Sequence, residues 1–204
     1  MRVCGWVPRV CPALFVGGAA VASQAPTAMV LSCWLVPPEP SRAVLEALIA
    51  ETARRHALPA FGAHITLLGH VGVDDVPEAL QKLQGLAGTG AVPVRFRSIE
   101  TRPPWNQYCV AVAEETPELC RLQRLARQAF LGTPEAEAEV AWAPPLCLPH
   151  LSLVYGADAD AQSGIAASLP LPDGFEATEI SLVDCSPTSL EGVPEWTEVG
   201  RVSL

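Results

Sequence analysis

The stretch AHITLLGH, residues 63–70, and the stretch PHLSLVYG, residues 149–156, follow one pattern. Each contains a histidine, an apolar residue, a hydroxyl residue and a second apolar residue, in that order. The chain has only four histidines, and two of them stand in this repeated pattern. The β-branched and apolar residues around both copies favour strands. Two such strands at corresponding places in the two halves of a chain are typical of an internal duplication.

The two motifs place four polar side chains where they can act together. Side chains alternate across a strand, so His64 shares a face with Thr66, and His150 shares a face with Ser152. If a pseudo-twofold axis relates the strands, two imidazoles and two hydroxyls converge in one cleft. A neutral imidazole can accept a proton from water while a protonated one donates to a leaving oxygen. The hydroxyls can donate hydrogen bonds to phosphate oxygens. This set is best suited to opening a cyclic phosphodiester with water, and it needs no metal.

The rest of the chain predicts alternating strands and helices. Strands are expected at residues 30–36, 64–71, 92–99, 107–113, 148–155, 176–184 and about 197–203. Helices are expected from Ser41, from Val76, from the cap Thr116 to about Phe130, and more weakly near 159–168. Each half reads strand, helix, motif strand, helix, strand. The order predicts an α+β fold of two similar lobes.

The first 28 residues differ in composition from the remainder. They contain two arginines, Arg2 and Arg9, and no acidic residue. This composition is typical of an organelle transit peptide, and it also resembles a weak signal sequence or an upstream extension before Met29. We therefore expect residues 1–28 to be a disordered leader and residues 29–204 to be the folded domain. The protein is expected in the cytoplasm, or in an organelle if the leader is a transit peptide, and the sequence does not identify the compartment.

Charge and cysteine content limit the classes of partner. Residues 29–204 have a formal charge of −11, because all 22 acidic residues and only 11 basic residues lie there. Binding of long nucleic acid depends on neutralising many phosphates, so we expect a small anionic substrate instead. The seven cysteines include no C-x-x-C pair and no zinc-ligand spacing. The sequence after residue 30 contains no run of 18 or more apolar residues, so no membrane-spanning segment is predicted there. The sequence thus predicts no metal, no cofactor and no membrane partner, and nothing in it suggests more than a monomer.

HITL at 64–67 and HLSL at 150–153 resemble the signature of the 2H phosphoesterase superfamily. The stretches SCWLVPPE, NQYCV and PHLSLVYG are most similar to its plant and fungal cyclic phosphodiesterases. The resemblance covers about residues 29–204. It implies two antiparallel sheets flanked by helices, with the active site in the cleft between the lobes. It also implies hydrolysis of ADP-ribose 1″,2″-cyclic phosphate and nucleoside 2′,3′-cyclic phosphates to monoesters.

The resemblance also implies residue roles. His64 and His150 would be the catalytic pair, Thr66 and Ser152 the phosphate-binding hydroxyls, and Tyr155 a substrate contact. His150 is slightly favoured as the base and His64 as the acid, although the sequence cannot assign these roles. Tyr155 has the strand parity of Leu151 and Leu153, so a regular strand would turn it away from the cleft unless a bulge intervenes. Trp34 and Trp105 could stack on a base.

Two rival functions stay open at this stage. One is a 2H enzyme that processes 2′-linked RNA ends, which would call for a basic track that a chain with a single lysine, Lys82, has little to build. The other is a nucleotide- or RNA-binding domain that keeps the fold without turnover. The four intact motif residues argue against the second. The sequence leaves open the physiological substrate, the pairing of cysteines and the role of the loop at 132–147.

Overall fold

The computed structural model describes residues 29–73, 75–132 and 149–204 of the chain, and these form nine strands and four α-helices. The strands are β1 (Leu31–Val36), β2 (Ile65–Leu68), β3 (Val92–Val94), β4 (Phe96–Thr101), β5 (Cys109–Ala113), β6 (His150–Val154), β7 (Phe175–Ala177), β8 (Glu179–Asp184) and β9 (Thr197–Ser203). The helices are α1 (Ser41–His56), α2 (Val76–Gln84), α3 (Pro117–Leu131) and α4 (Ala159–Ser168). The predicted leader, residues 1–28, and most of the 132–147 loop lie outside the described residues.

Seven strands form one antiparallel sheet in the order β4-β5-β6-β2-β1-β8-β9, and β3 pairs with β7 in a separate ribbon. The large sheet has two parts, β4-β5-β6 and β2-β1-β8-β9. They join only through the motif strands β2 and β6, whose pairing consists of Ile65 opposite Leu151. The two predicted antiparallel sheets therefore meet edge to edge, with the two motifs at the junction.

Each helix packs on particular strands of the sheet through its apolar residues. Helix α3 contacts β2 and β3, α2 contacts β8 and β9, α1 contacts β6, and α4 contacts β4 and β5. Thr116 caps α3 by accepting a hydrogen bond from the Leu119 amide, as the sequence predicted. Asp75 caps α2 in the same way through the Glu78 amide. Helix propensity, caps and buried faces thus agree in this part of the fold.

Two of the predicted strands are divided in the structure. Residues 92–99 form β3 and the start of β4, which pair with β7 and β5 respectively. Residues 176–184 form β7 and β8, which pair with β3 and β1. The apolar pattern continues across each break, but the chain changes partner there. The motif strand β2 is also shorter than predicted, so His64 lies in the loop immediately before it.

The described part of the chain contains no helix long and apolar enough to cross a membrane. Cys33, Cys109, Cys120 and Cys185 are free thiols. Burial raises the pKa of Cys33 to about 12, which keeps this core thiol protonated. Cys147 lies outside the described residues.

Candidate active site

The four motif residues surround the junction of the two halves of the sheet. In the antiparallel pairing, Ile65 faces Leu151, and both are fully buried. The neighbouring positions therefore place His64 across from Ser152 and Thr66 across from His150, on the other face of the sheet. A local twofold axis through the Ile65–Leu151 pair therefore relates the two motifs. It brings together the histidines and hydroxyls of both motifs.

His64 is held in one orientation and one tautomer. Its side chain is 3% exposed, and its ring stacks on Trp34 with centroids 3.6 Å apart and planes within 5°. Its Nδ1 lies 2.7 Å from the carbonyl oxygen of Gly62. Because a carbonyl can only accept, Nδ1 bears the hydrogen and Nε2 of the neutral ring has a free lone pair. The remaining nitrogen of His64 is thus prepared to accept a proton.

Electrostatics favour the neutral form of His64. Burial lowers the pKa of His64 from its ordinary 6.5 to about 4, the hydrogen bond to Gly62 opposes this change, and the charge of His150 lowers the pKa further. The register of β2 against β6 places the two histidines diagonally across the same junction, which accounts for this effect. His150 itself is half-buried at the first position of β6, opposite Val112 of β5. The more accessible of the two histidines is therefore the one on β6.

The two hydroxyls have different surroundings. Ser152 is 4% exposed, and its Oγ donates to the backbone oxygen of Asn106 at 2.8 Å. Ser152 also lies near the Tyr155 phenol, whose pKa it lowers slightly against the larger effect of burial. Thr66 is half-buried and faces Trp34 across the β1–β2 pairing. A phosphate at this site could take a hydrogen bond from Ser152 only if its hydroxyl turned away from Asn106.

Tyr155 lies on the same side as the motif histidines, contrary to the orientation that strand parity favoured. Strand β6 ends at Val154, so Tyr155 is free of the alternation of the strand. Its ring stacks on Phe61 with centroids 3.7 Å apart, and Trp105 and Trp196 contact it edge-on. Burial raises the pKa of Tyr155, so its phenol stays protonated and able to donate.

These rings belong to one aromatic cluster, formed by Trp34, Phe61, Trp105, Tyr155 and Trp196, that contacts His64 through Trp34 and Phe61. Sequence reasoning singled out Trp34, Trp105 and Tyr155 and missed Phe61 and Trp196. Phe61 could have been found as the aromatic residue three positions before the first motif histidine. Trp196 had no such signal, because only the return of β8 and β9 to β1 brings it here.

The described ranges contain no group of three or more His, Cys, Asp or Glu side chains positioned to hold a metal ion. The chemistry available at the junction is that of two imidazoles, two hydroxyls and a phenol. Such a set can transfer protons and donate hydrogen bonds to an anion.

Comparisons with known proteins identify the family and the fold of the chain. The family model described as "2′-5′ RNA ligase superfamily" matches residues 36–186, which is more than half of the chain and includes both motifs. A comparison of the sequence with curated proteins gave no match.

Solved structures match over 86% of this chain. Escherichia coli LigT complexed with 3′-AMP is 16% identical with a TM-score of 0.54, and the match covers 97% of LigT. A protein described as a phosphoesterase is 18% identical with a TM-score of 0.54, and the protein TT0787 of Thermus thermophilus is 21% identical with a TM-score of 0.53. Each of these two is covered over 98% of its length. At these identities the likeness shows the fold, and it confirms the predicted α+β class with antiparallel sheets and helices.

Proposed function

The chain belongs to the 2′-5′ RNA ligase superfamily, the 2H phosphoesterases, and we propose that it hydrolyses small cyclic phosphates to phosphomonoesters. The substrates we propose are ADP-ribose 1″,2″-cyclic phosphate and nucleoside 2′,3′-cyclic phosphates, as in the plant and fungal cyclic phosphodiesterases that the sequence resembles. Catalysis would rest on His64 and His150, without a metal.

One observation supports this proposal above all. The two motif histidines, 86 positions apart in sequence, lie diagonally across the junction of β2 and β6, and the charge of His150 lowers the pKa of His64. Two imidazoles at one site provide both the proton acceptor and the proton donor that ring opening requires. A domain that only binds nucleotides has no need of this pair.

The surroundings of the histidines favour His64 as the base, the reverse of the slight preference drawn from the sequence. Its pKa of about 4 keeps it neutral at pH 7, and the Gly62 hydrogen bond leaves Nε2 free to accept. Nε2 of His64 takes a proton from water, and the water oxygen attacks phosphorus. The bond from phosphorus to one ring oxygen breaks, and protonated His150 donates its proton to that oxygen. Exchange with solvent then returns both histidines to their starting states.

Thr66, Ser152 and Tyr155 would stabilise the charge that develops on the phosphate. Thr66 and Ser152 lie on opposite sides of the local axis, so they can donate to different non-bridging oxygens. Ser152 would exchange its hydrogen bond with Asn106 for one with phosphate. The protonated Tyr155 phenol, which lies near Ser152, can donate a further hydrogen bond to the same group.

A small nucleotide substrate is supported by charge and by the ligands of a protein with the same fold. The formal charge of −9 for the whole chain disfavours contact with many phosphates of a long RNA. LigT of Escherichia coli has been crystallised with 3′-AMP, phosphate, ATP and NADP+. A monomeric protein that binds one such nucleotide is what we propose for this chain.

Turnover of 2′,3′-cyclic AMP and ADP-ribose 1″,2″-cyclic phosphate in EDTA tests the proposal. The wild type is compared with His64→Gln and His150→Gln, and with His70→Gln as a control, because His70 is exposed and outside the aromatic cluster. We expect each motif substitution to lower kcat/KM by roughly 10²–10⁴-fold and the control to match the wild type. A 2′-5′-linked dinucleotide in the same assay tests the alternative of RNA-end processing. If folded wild type turned over none of the cyclic phosphates, the proposal would be wrong.

A further inference from the structure

A row of paired residues leads from the motif junction across four strands. Thr66 of β2 faces Trp34 of β1, Trp34 faces Ser181 of β8, and Ser181 faces Arg201 of β9. Residues directly opposite in antiparallel strands project from the same face of the sheet. The row therefore continues the face of the candidate active site for three strands beyond it.

At the far end of this row lies a cavity of about 350 Å³. Its lining includes Trp34, Ser181 and Arg201 from the row, and Phe61, Gly62 and Ala63 from the segment that ends at His64. The volume is at the small end of the roughly 300–1,000 Å³ typical of ligand pockets. The residues that line it do not include His64 or His150, so the cavity adjoins the catalytic pair and does not contain it.

Flat aromatic surfaces in fixed orientations form one side of the cavity. Trp34 stacks on His64 and also lines the cavity, so its ring belongs to both sites. Its Nε1 donates to Ser32 Oγ at 2.7 Å, and Nε1 of Trp196 donates to the Pro187 carbonyl oxygen at 3.0 Å. Rings held in this way lose little freedom on binding, and they suit a planar, aromatic ligand group.

The polar side of the cavity has balanced charge. A β-bulge between the Leu182 and Val183 pairings brings Glu198 to the same face as Arg201. The Glu198 carboxylate accepts hydrogen bonds from Ser181 Oγ at 2.7 Å and from Arg201 Nε and an Arg201 terminal nitrogen at 3.2 and 2.6 Å. Among about four lone-pair positions on a carboxylate, these three bonds leave room for another donor. Arg42 and Glu46 of α1 add one further charge of each sign.

Two guanidinium groups and two carboxylates favour a neutral polar ligand over a second phosphate. A nucleobase has this chemistry, since it combines an aromatic face with amino and ring-nitrogen groups at its edge. A carboxylate with a free acceptor position is a suitable partner for an exocyclic amine. The aromatic side and the polar side of the cavity thus match the two kinds of surface that a base presents.

We propose that this cavity binds the base of a nucleoside separated from the reacting cyclic phosphate by at least one further phosphate group. The inference rests on the proposed cyclic phosphodiesterase function and defines its substrate class. Because Trp34 is shared between His64 and the cavity, a base on the reacting ribose itself would stay on the His64 side of this ring. A longer substrate reaches past Trp34 and places its distal base against Trp196 and Glu198. ADP-ribose 1″,2″-cyclic phosphate and a dinucleotide ending in a 2′,3′-cyclic phosphate both have this form.

Two substitutions in the cavity test the assignment. Ala60 is exposed and lines the cavity, so Ala60→Phe would obstruct it. Glu198→Gln would keep the shape and remove the charged acceptor. Ala50→Phe is the matched control, because Ala50 is exposed on α1 and does not line the cavity. We compare kcat/KM for ADP-ribose 1″,2″-cyclic phosphate and for the dinucleotide with kcat/KM for 2′,3′-cyclic AMP, which has no distal base.

Glu198→Gln is expected to lower the ratio of kcat/KM for an extended substrate to that for 2′,3′-cyclic AMP by about tenfold, the loss of one hydrogen bond to a charged group. Ala60→Phe should lower the same ratio because it obstructs the cavity. If this ratio falls for only one of the two extended substrates, that substrate is the one whose distal base occupies the cavity. The control should keep the wild-type ratio. Unchanged ratios in both cavity variants, with wild-type turnover intact, would overturn the cavity assignment and leave the proposed function standing.

A binding measurement keeps the inference testable if no cyclic phosphate is turned over. Adenosine is titrated into wild type, Ala60→Phe and Ala50→Phe while tryptophan fluorescence is recorded, since Trp34 and Trp196 line the cavity. We expect saturable quenching whose Kd rises at least about fivefold in Ala60→Phe alone, a loss of free energy on the scale of a single aromatic contact. The same Kd in all three proteins, or no quenching in the wild type, would contradict the assignment.

Discussion

At the scale of single residues, the burial of His64 bears directly on the role as base that we propose for it. The ring is almost fully buried between Trp34 and the Phe61 side of the aromatic cluster, and only one nitrogen is committed to the backbone. Burial disfavours the charged imidazolium, which makes the neutral ring available at pH 7. The same burial makes protonation of His64 costly to the folded state.

This cost predicts a dependence of stability on pH. The pKa of His64 is lowered from 6.5 to about 4, so between these values the unfolded chain binds a proton that the folded chain excludes. Its contribution to stability is therefore present above about pH 6.5 and is lost as the pH falls toward 4. Urea unfolding at pH 7 and pH 5 should show a decrease in the free energy of unfolding that is about 2 kcal/mol smaller in His64→Gln than in the wild type. His70→Gln should behave as the wild type, and equal decreases in all three would contradict the pKa argument.

The motif residues were easier to single out from the sequence than the residues that surround them in the structure. His64, Thr66, His150 and Ser152 form a pattern that can be seen without a structure. Glu198 could not be predicted in the same way. It and Arg201 have opposite parity in a regular strand, and only the bulge in β9 places both on one face.

At the scale of elements, short strands depend on close contacts that glycine permits. Gly174 precedes β7, and a Cβ at this position would overlap the backbone oxygen of Val94 in the partner strand β3. Gly164 lies within α4, where a Cβ would meet no described atom within 4 Å beyond the backbone of its own helix and its chain neighbours. We therefore expect replacement by alanine to change the free energy of unfolding in opposite directions at the two positions.

Gly174→Ala should lower the free energy of unfolding by about 2 kcal/mol, because the β3–β7 ribbon has to move to relieve the overlap. Gly164→Ala should raise it by about 0.5–1 kcal/mol, since alanine is favoured over glycine inside a helix. Urea denaturation of both variants checks the pair. A neutral Gly174→Ala would show that the ribbon adjusts without strain.

Helices were easier to predict than strand partners. The cap Thr116, the helix start at Ser41 and the apolar spacing in α1 are local signals, and the structure places helices there. A strand pattern gives the buried face but not the neighbouring strand. For this reason residues 92–99 and 176–184 each read as one strand, although each stretch changes partner at its middle.

At the scale of the whole molecule, the order of the strands differs from a simple sum of two halves. The C-terminal strands β8 and β9 return to pair beside β1, and β4 pairs with β5 in the other part of the sheet. Each part thus contains strands from both halves of the sequence. The repeated motifs predicted two related lobes, but pairings between distant strands leave no periodic signal in the chain. The cavity beyond Trp34 exists only because of this exchange.

The acidic charge of the molecule makes a further prediction. A chain of formal charge −9 should attract a long polyanion poorly, because such binding requires many phosphate contacts. Long single-stranded RNA with blocked ends should therefore leave kcat/KM for 2′,3′-cyclic AMP unchanged at low salt. Strong inhibition that is relieved by salt would instead indicate an RNA-binding track and favour a role in processing RNA ends.

The central claim is that His64 and His150 act as one acid–base unit, and a double-mutant cycle tests it most directly. The rate of 2′,3′-cyclic AMP hydrolysis is measured in EDTA for wild type, His64→Gln, His150→Gln and the double variant. Residues that act as a unit give strongly non-additive losses. We therefore predict that the double variant is about as slow as either single variant, each reduced by roughly 10²–10⁴-fold. Losses that multiply in the double variant, or a single variant with wild-type activity, would contradict the account.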